Sequence, residues 1–270
     1  MLCLLSHGAE HKKRGGMLQE DFPFQGACLS ANFPEKNVAL KGLAIRLGAD
    51  ANMLFDTELL RMAAGWTGGY ITTHGVAFDG GHGAHPKIDG DQKFGTRQAP
   101  GWADANGSFE DPRQEKFGPL ATDWCRYDGL HVVGMDVVLS YTVLGTKIHE
   151  QPSAVTVGDQ VGFVRTFETA KAKADLATVI AEAENATAEV RGLVGTITGG
   201  KRVTAVGLVG APSGVRLEAA EHARILLKIP KGTKSSLFKV VIWHGSAAQQ
   251  DKFAAMLDAK PHIAAYAKAR

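Results

Sequence analysis

Two histidines and several carboxylates stand close together in one glycine-rich stretch of the sequence. His82 and His85 are separated by two residues, with Asp79 before them and Asp89 and Asp91 after them. Imidazole nitrogens and carboxylate oxygens are donors that bind transition metals in proteins. No helical pattern surrounds the pair to fix its geometry, so we interpret these histidines as solvated loop residues and predict no metal site.

The segment Asp89-Gly90-Asp91 offers hard oxygen ligands of the kind that calcium prefers. It lacks the longer acidic repeat of an EF-hand loop, and Asp and Gly are typical turn residues. We interpret it first as a β-turn, with calcium as the lesser alternative.

The cysteines exclude several cofactor classes. There are three, and no Cys-x-x-Cys or Cys-x-x-Cys-His occurs, so a zinc ribbon and a covalent c-type haem site are absent from this sequence. We therefore predict no cofactor in this chain. Cys28 and Cys125 could form one disulfide, but two separate buried thiols are the favoured interpretation.

Carboxylates in the loop region suggest one enzymatic alternative. Glycoside hydrolysis needs a pair of carboxyl groups that flank the scissile bond. The acids that could supply such a pair are Asp79, Asp104, Glu110, Asp111 and Asp123. Nothing in their spacing selects one pair, so a carbohydrate-active enzyme of the glycoside hydrolase type remains the second hypothesis.

Aromatic residues in and around the same loops point to a binding function. Sugar rings stack on aromatic planes while nearby polar groups bind their hydroxyls, and loops on a rigid scaffold commonly present such sites. The alternative is that these aromatics anchor the loop to the core or to a neighbouring domain. Trp124 lies just before a predicted strand at Leu130, so we expect it to be buried. Trp102 lies in the most turn-rich part of the loop, so we expect it to be exposed. The candidate ligand-binding residues are Trp66, His74, Asp79, His82, His85, Trp102, Asp104, Asp123, Trp124 and Tyr127.

The elements that must position these residues are mostly strands. Short β-type patterns recur with turn signals every 8–12 residues, which is typical of a sandwich. Residues 137–143 and 146–150 form a predicted hairpin around Gly145, and Gly199-Gly200 marks another. A change of phase predicts a bulge near Gly42, and residues 59–66 fit either a helical turn or a strand. We predict an all-β, sandwich-like domain over 10–245, with a partial propeller as the alternative fold.

Two segments depart from the strand pattern. Residues 79–128 form a long loop region, and its aromatic content favours an ordered surface that packs over one end of the sandwich over a disordered segment. Residues 246–270 form a predicted helical tail that Pro261 interrupts.

Composition and charge narrow the class of protein. The 270 residues carry 30 Lys and Arg against 28 Asp and Glu, a formal net charge of +2, without an extended basic face. We therefore predict no nucleic-acid partner. No apolar run reaches the ~20 residues of a membrane-spanning helix. Residues 1–9 read either as the start of a cytosolic chain or as the remnant of a clipped signal peptide.

Several stretches taken together resemble an uncharacterised N-terminal domain of large exported bacterial proteins. The resemblance covers roughly residues 10–245. The stretches that carry it are Lys41–Leu47, Phe55–Arg61, Ala64–Gly69, Gly75–Gly80, Phe94–Thr96, Gly118–Leu120, Trp124, Tyr127 and Val138–Val143.

In that family the domain precedes a β-propeller similar to PQQ-dependent sugar (sorbosone-type) dehydrogenases, often followed by a c-type cytochrome domain. The resemblance implies a periplasmic or extracellular location, which favours the clipped-signal interpretation of residues 1–9. It also implies a non-catalytic module of a sugar-oxidising system that binds carbohydrate or docks against the propeller or cytochrome domain. It assigns no chemistry to individual residues.

Overall fold

The computed structural model describes residues 21–48, 50–72 and 86–266, and these residues form a β-sandwich. Short turns join most of its strands. The strands are β1 (Phe24–Ser30), β2 (Val38–Arg46), β3 (Ala51–Asp56), β4 (Arg61–Thr67), β5 (Ile71–Thr72), β6 (Lys87–Ile88), β7 (Asp91–Gly95), β8 (Cys125–Val133), β9 (Asp136–Val143), β10 (Thr146–Val157), β11 (Gln160–Thr169), β12 (Leu176–Glu182), β13 (Thr187–Arg191), β14 (Val194–Gly199), β15 (Arg202–Val209), β16 (Arg216–Ala220), β17 (Arg224–Ile229) and β18 (Ser236–Ser246).

The strands form two sheets that pack face to face. The ten-stranded sheet has the order β16-β17-β12-β7-β4-β3-β2-β1-β6-β5, and the eight-stranded sheet has the order β13-β14-β15-β18-β11-β10-β9-β8. Aromatic pairs cross the interface: the rings of Phe55 and Tyr141 lie 5.9 Å apart, and those of Phe94 and Phe163 lie 5.4 Å apart. The main core therefore lies between the sheets, and the predicted all-β sandwich is confirmed.

Local turn signals place the hairpins correctly. Leu144 and Gly145 join β9 to β10 with φ of 44° and 72°, the left-handed pair that a tight hairpin turn needs. The pairing of Gly199 with Arg202 closes the β14–β15 hairpin. The pairing of β1 with β2 shifts register between Ala27 and Leu29, opposite the stretch from Ala39 to Gly42, so the predicted bulge near Gly42 is confirmed.

The long loop region is interrupted by regular structure. Residues 79–85 lie outside the described part of the chain, but residues 87–88, 91–95 and 125–128 belong to strands, so the prediction of a continuous loop over 79–128 is wrong there. β7 is an interior strand that pairs with β4 on one side and meets β12 at Gly95 on the other. Residues 96–124 contain no strand but pack against the sandwich, and the buried hydrophobic residues among them include Trp102, Ala103, Phe109 and Leu120.

The C-terminal segment is less helical than its sequence predicts. A 3-10 turn over Ala247–Gln249 leads into one short helix, α1 (Asp251–Met256). Phe253 and Met256 pack on Trp243 and its neighbours at the outer face of the eight-stranded sheet. Residues 257–266 are not helical, so the predicted helical tail over 246–270 is wrong for that stretch. No helix in the described part of the chain has the length and apolarity that a bilayer crossing requires.

The two described cysteines are not joined to each other. Cys125 is buried and Cys28 is half-buried, and no disulfide links them, which confirms the preference against that bond. Burial raises the pKa of the Cys125 thiol, so this group remains protonated.

Candidate functional site

The candidate tryptophans occupy separate parts of the fold. Trp66 is fully buried in a cluster of residues from β1–β6, and its indole N–H donates to the Tyr70 carbonyl at 2.9 Å. Trp102 is fully buried in the main core between the sheets. The prediction that Trp102 is exposed is therefore wrong, and neither side chain can offer a ring face to a sugar.

Backbone pairing explains why Trp102 points inwards. The Gly101 N–H donates to the Leu59 carbonyl at 2.8 Å, and the Ala103 N–H donates to the Ala177 carbonyl at 2.9 Å. An isolated bridge joins Trp102 to Thr178. A Cβ on Gly101 would lie 2.2 Å from the Leu60 carbonyl oxygen, so glycine permits the close approach that draws this loop segment into the sheet.

Trp124 and Tyr127 are half-buried at the edge of the main core. The ring of Tyr127 lies 6.2 Å from that of Phe55, and burial raises the pKa of its hydroxyl to about 12. These two residues anchor the end of the loop region where β8 begins, as the alternative interpretation of the aromatics predicts. With Trp66 and Trp102 buried in different clusters, the four aromatics do not form a shared platform.

Two loop acids hold turns together. Asp104 accepts hydrogen bonds from the backbone of Ser108 and Asn106, at 2.8 and 2.9 Å, and these bonds lower its pKa. Asp111 receives a two-bond clamp from Arg113, at 2.8 and 2.7 Å, which lowers its pKa as well. Both carboxyls therefore stay ionised to a lower pH than an ordinary aspartate does, whereas a general acid needs a raised pKa.

The remaining candidate residues add little to any ligand or metal site in the described part of the chain. Asp123 is exposed. Asp91, at the predicted calcium turn, forms an ion pair with Lys93 at 2.5 Å. No group of three or more His, Cys, Asp or Glu side chains that could hold a metal ion occurs among residues 21–48, 50–72 and 86–266. His74, Asp79, His82 and His85 lie outside the described residues.

Other residues line a small pocket at one end of the sandwich. We call this pocket the loop–hairpin pocket. It has a volume of about 150 Å³ and lies between the loop that follows β7 and the turn that joins β16 to β17. Its chemically active lining consists of Arg61, Arg97, Phe109, Glu110, Glu182, Glu221, His222 and Arg224.

Arg61 is a buried residue of the pocket lining and donates hydrogen bonds to the protein through all three of its nitrogens. Its Nε donates to Asp56 at 3.1 Å, and its other nitrogens donate to four further acceptors. Burial lowers the pKa of Arg61, while the Asp56 charge acts in the opposite direction. Arg61 therefore positions the loop around it, and each of its three nitrogens has an acceptor within the protein. The four further acceptors are the Asn37 side chain and the carbonyls of Thr96, Arg97 and Val38.

One wall of the loop–hairpin pocket joins the loop that follows β7 to β12. The buried Glu182 carboxylate accepts hydrogen bonds from the Arg97 backbone N–H and from Arg97 Nε, the latter at 2.8 Å. The Arg97 side chain remains 42% exposed while that of Glu182 is 2% exposed. The guanidinium is thus held at one edge and keeps donors that face solvent.

The opposite wall is a strained turn. His222 and Ala223 have φ of 60° and 47°, a left-handed conformation that is uncommon for residues other than glycine. Arg224 Nε donates to the Glu221 carbonyl at 2.9 Å, and its guanidinium lies 5.3 Å from the centre of the Phe109 ring. Backbone strain of this kind collects at functional sites, where surrounding contacts over-determine it.

Sequence reasoning missed most of this pocket because its walls come from three distant segments. Arg97, Glu182 and His222 are far apart in the chain, so no spacing connects them. In the sequence, Glu110 is one of several loop acids that no spacing distinguishes. The one local signal is the turn Glu221-His222 between two strand patterns, where a histidine tolerates the left-handed conformation.

The fold and the pocket together define a β-sandwich protein with a small, polar-rimmed cavity at one end. Residues 53–150 match a family described as a domain of unknown function (DUF6797), over less than half of the chain. None of the curated proteins matches this chain. Among solved structures, a protein described as a candidate kojibiose phosphorylase from human microbiome is 9% identical, with a TM-score of 0.32. That comparison covers 62% of this chain, which spans only 26% of the other.

Proposed function

We propose that this chain is a non-catalytic carbohydrate-binding module, and that the loop–hairpin pocket receives one sugar ring. The observation that carries the proposal is the convergence of donors and acceptors around Phe109 and Arg224 at the end of a rigid sandwich. Few, well-placed polar groups in a concave site are typical of small-ligand binding.

The chemistry of the rim suits a neutral, polyhydroxylated ligand. Each hydroxyl is both a donor and an acceptor. Arg97 and Arg224 donate, the exposed carboxylates of Glu110 and Glu221 accept, and His222 can do either. Acids and bases are mixed, so the rim has no strong excess of one charge. The volume of about 150 Å³ lies below the ~300–1,000 Å³ of sites for drug-sized ligands, which favours a single ring.

The wider setting in this proposal is an exported sugar-oxidising system. The resemblance to the domain that precedes a dehydrogenase-like propeller and a c-type cytochrome supports it, and so does the sugar-compatible rim. The module would then lie in the periplasm or outside the cell and hold a saccharide near the enzyme that oxidises it.

Hydrolysis by loop carboxylates fits the structure less well than binding does. Asp104 and Asp111 are engaged in turns that lower their pKa values. Protonation of a leaving group needs a carboxyl whose pKa is raised. The observations on these two acids therefore favour binding without turnover.

We expect Glu110→Gln combined with His222→Asn to weaken glycan binding about tenfold or more. Both residues are exposed, and asparagine tolerates the left-handed conformation at position 222, so the fold should persist. The expected loss corresponds to one or two hydrogen bonds, at ~1 kcal/mol each. The measurement is a glycan-array screen followed by titration calorimetry with the best ligand.

Glu115→Gln is the matched control, because Glu115 is exposed on the same loop region but does not line the pocket. The affinity of this variant for the glycan should equal that of the wild type. Release of reducing sugar by the wild-type chain would favour the hydrolase alternative instead. If the glycan array gives no hit and the chain binds a separately produced propeller domain, docking replaces carbohydrate binding as the proposed function.

A further inference from the structure

A second polar cluster lies at the end of β7 that is remote from the loop–hairpin pocket. Thr204 on β15 and His244 on β18 are cross-strand neighbours on the inner face of the eight-stranded sheet, since Val206 and Ile242, two residues along, belong to the main core. Arg202 begins β15 beside them, and β7 approaches β18 from the opposite sheet. The charged groups of β7 that influence His244 are Asp91 and Lys93.

The hydrogen bonds fix the protonation state of His244. Arg202 Nε lies 2.7 Å from His244 Nε2, and the Thr204 hydroxyl lies 2.8 Å from Nδ1. Because a guanidinium can only donate, Nε2 must accept with its lone pair. The ring is then neutral, and its proton lies on Nδ1, which donates to Thr204.

Neighbouring charges reinforce that state. Burial is the largest cause that lowers the pKa of His244, to about 4, and the cations of Arg202 and Lys93 lower it further while Asp91 acts in the opposite direction. We expect an NMR titration of the imidazole to place its midpoint near pH 4, below the ordinary value of 6.5.

Linkage gives this prediction a second readout. The unfolded chain binds more protons than the folded chain between pH 4 and 6.5, so the free energy of unfolding should fall as pH falls through that interval. His244→Gln should flatten this part of the pH profile, because glutamine does not titrate. A titration midpoint near 6.5 in the folded protein would contradict the lowered pKa of His244.

The Arg202 side chain is oriented by a neutral group. Its only side-chain hydrogen-bond partner in the described residues is His244, and it forms no ion pair there. The nearby Asp91 carboxylate, whose pKa is lowered first by its hydrogen bond with Lys93, also interacts with the Arg202 charge. Lys93 is paired with Asp91 at 2.5 Å. The cluster therefore holds two cations against one carboxylate, and the Arg202 guanidinium is exposed with its two terminal nitrogens unoccupied.

We propose that Arg202, held by His244 and Thr204 and flanked by Lys93, is an oxyanion-binding site. A guanidinium fixed along one edge presents a planar fork that matches the two oxygens of a carboxylate, sulfate or phosphate group. A carboxylate partner would cancel the charge of the guanidinium. A neutral histidine fixes the orientation of the fork and leaves that charge in place. The ligand chemistry is thus an anionic group carried by a small molecule or a modified saccharide.

This site is separate from the loop–hairpin pocket, and it does not rest on the proposed function. Asp91 and Lys93 belong to β7, and the pocket begins at Thr96, past its other end. Lys93 and Thr96 are three strand positions apart, about 10 Å, so one small ligand does not reach both sites. Loss of ligand binding at one site should leave ligand binding at the other site intact.

The test is a titration of the full chain with sodium sulfate, sodium phosphate and sodium glucuronate at constant ionic strength, followed through the NMR signals of His244 and Thr204. We expect saturable shifts with at least one of the three probes, and the probe that saturates distinguishes a tetrahedral anion from a carboxylate. Arg202→Gln should weaken binding at least tenfold, and Arg202→Lys should also weaken it, because the charge remains but the fork is lost.

Lys201→Gln is the matched control, since it removes one exposed cation next to Arg202 and should leave the affinity unchanged. Glycan binding by the loop–hairpin pocket should persist in Arg202→Gln, which separates this proposal from the proposed function. Linear shifts without saturation, or equal effects of the substitutions at 201 and 202, would reduce the site to general surface charge and overturn the proposal.

Discussion

Replacement of Arg165 by methionine is expected to lower the free energy of unfolding by about 3–5 kcal/mol, the usual cost of removing one partner of a buried ion pair. Arg165 and Glu150 lie on adjacent strands of the eight-stranded sheet, and both side chains are fully buried. Arg165 Nε donates to one Glu150 oxygen at 2.6 Å, and the Tyr141 hydroxyl donates to the other at 2.5 Å. The substitution would leave a buried carboxylate without its counter-charge.

The same guanidinium also connects the two sheets. Arg165 Nη1 donates to the carbonyl of Val179 on β12, in the ten-stranded sheet, at 3.3 Å. Burial acts to lower the pKa of Arg165, but the charge and hydrogen bonds of Glu150 outweigh it and raise the pKa overall. Burial, together with the Glu150 charge, raises the pKa of Tyr141 well above its ordinary value. Arg165 therefore stays charged and Tyr141 stays neutral across the accessible pH range.

Urea denaturation monitored by circular dichroism measures the loss. Arg191→Met is the control, because the Arg191–Glu189 pair is 84% and 57% exposed and such surface pairs contribute ~0–1 kcal/mol. Arg165→Met combined with Glu150→Leu and Tyr141→Phe should recover much of the stability, since no buried charge is then left alone. A loss below ~1 kcal/mol for the single substitution would show that water reaches Glu150.

The elements of this fold that could be predicted from sequence are those fixed by neighbouring residues. The hairpin at Leu144-Gly145 follows from its turn geometry, and the bulge near Gly42 follows from a change of phase within one strand. Residues 59–66 were ambiguous because their period does not separate a helical turn from a buried strand. Pairing with β3 and β7 makes residues 61–67 a strand.

β7 could not be predicted because long-range pairing creates it. Its sequence, Asp-Gln-Lys-Phe-Gly, is short and polar and reads as a loop. It becomes an interior strand because the ring of Phe94 occupies the space over Gly65, where an added Cβ would lie 2.1 Å from a ring carbon. That fit depends on two residues about thirty positions apart, which no local pattern records.

The candidate site shows the same limit more strongly. The aromatics and acids of the loop region are the residues that the sequence offers as candidates, yet several of them hold the loop in place: Trp102 enters the core, and Asp104 and Asp111 close turns. The pocket uses residues whose types are common on surfaces. Only their meeting at one end of the sandwich distinguishes Arg97 and Glu182 from ordinary surface charges.

Trp102→Ala is expected to cost about 3–5 kcal/mol, the usual penalty for removing a large aromatic from a core. The Trp102 side chain is fully buried, its ring lies 6.0 Å from that of Tyr141, and it meets Phe167 edge-on at 6.4 Å. Removal leaves a large cavity between the sheets next to the Glu150–Arg165 pair. For a domain with ordinary stability of ~5–15 kcal/mol, that loss takes away much of the margin.

Comparison with Phe117→Ala separates burial from residue size. Phe117 lies in the same loop region but is 69% exposed, and Arg113 holds the surrounding turn through backbone carbonyls, so the substitution should change the free energy of unfolding by less than ~0.5 kcal/mol. Trp102→Phe should fall between the two, because it keeps an aromatic ring but leaves part of the volume empty. Urea denaturation of the three variants checks the order. If Trp102→Ala proved as stable as Phe117→Ala, the loop would not enter the core, and Trp102 would return as a candidate binding residue.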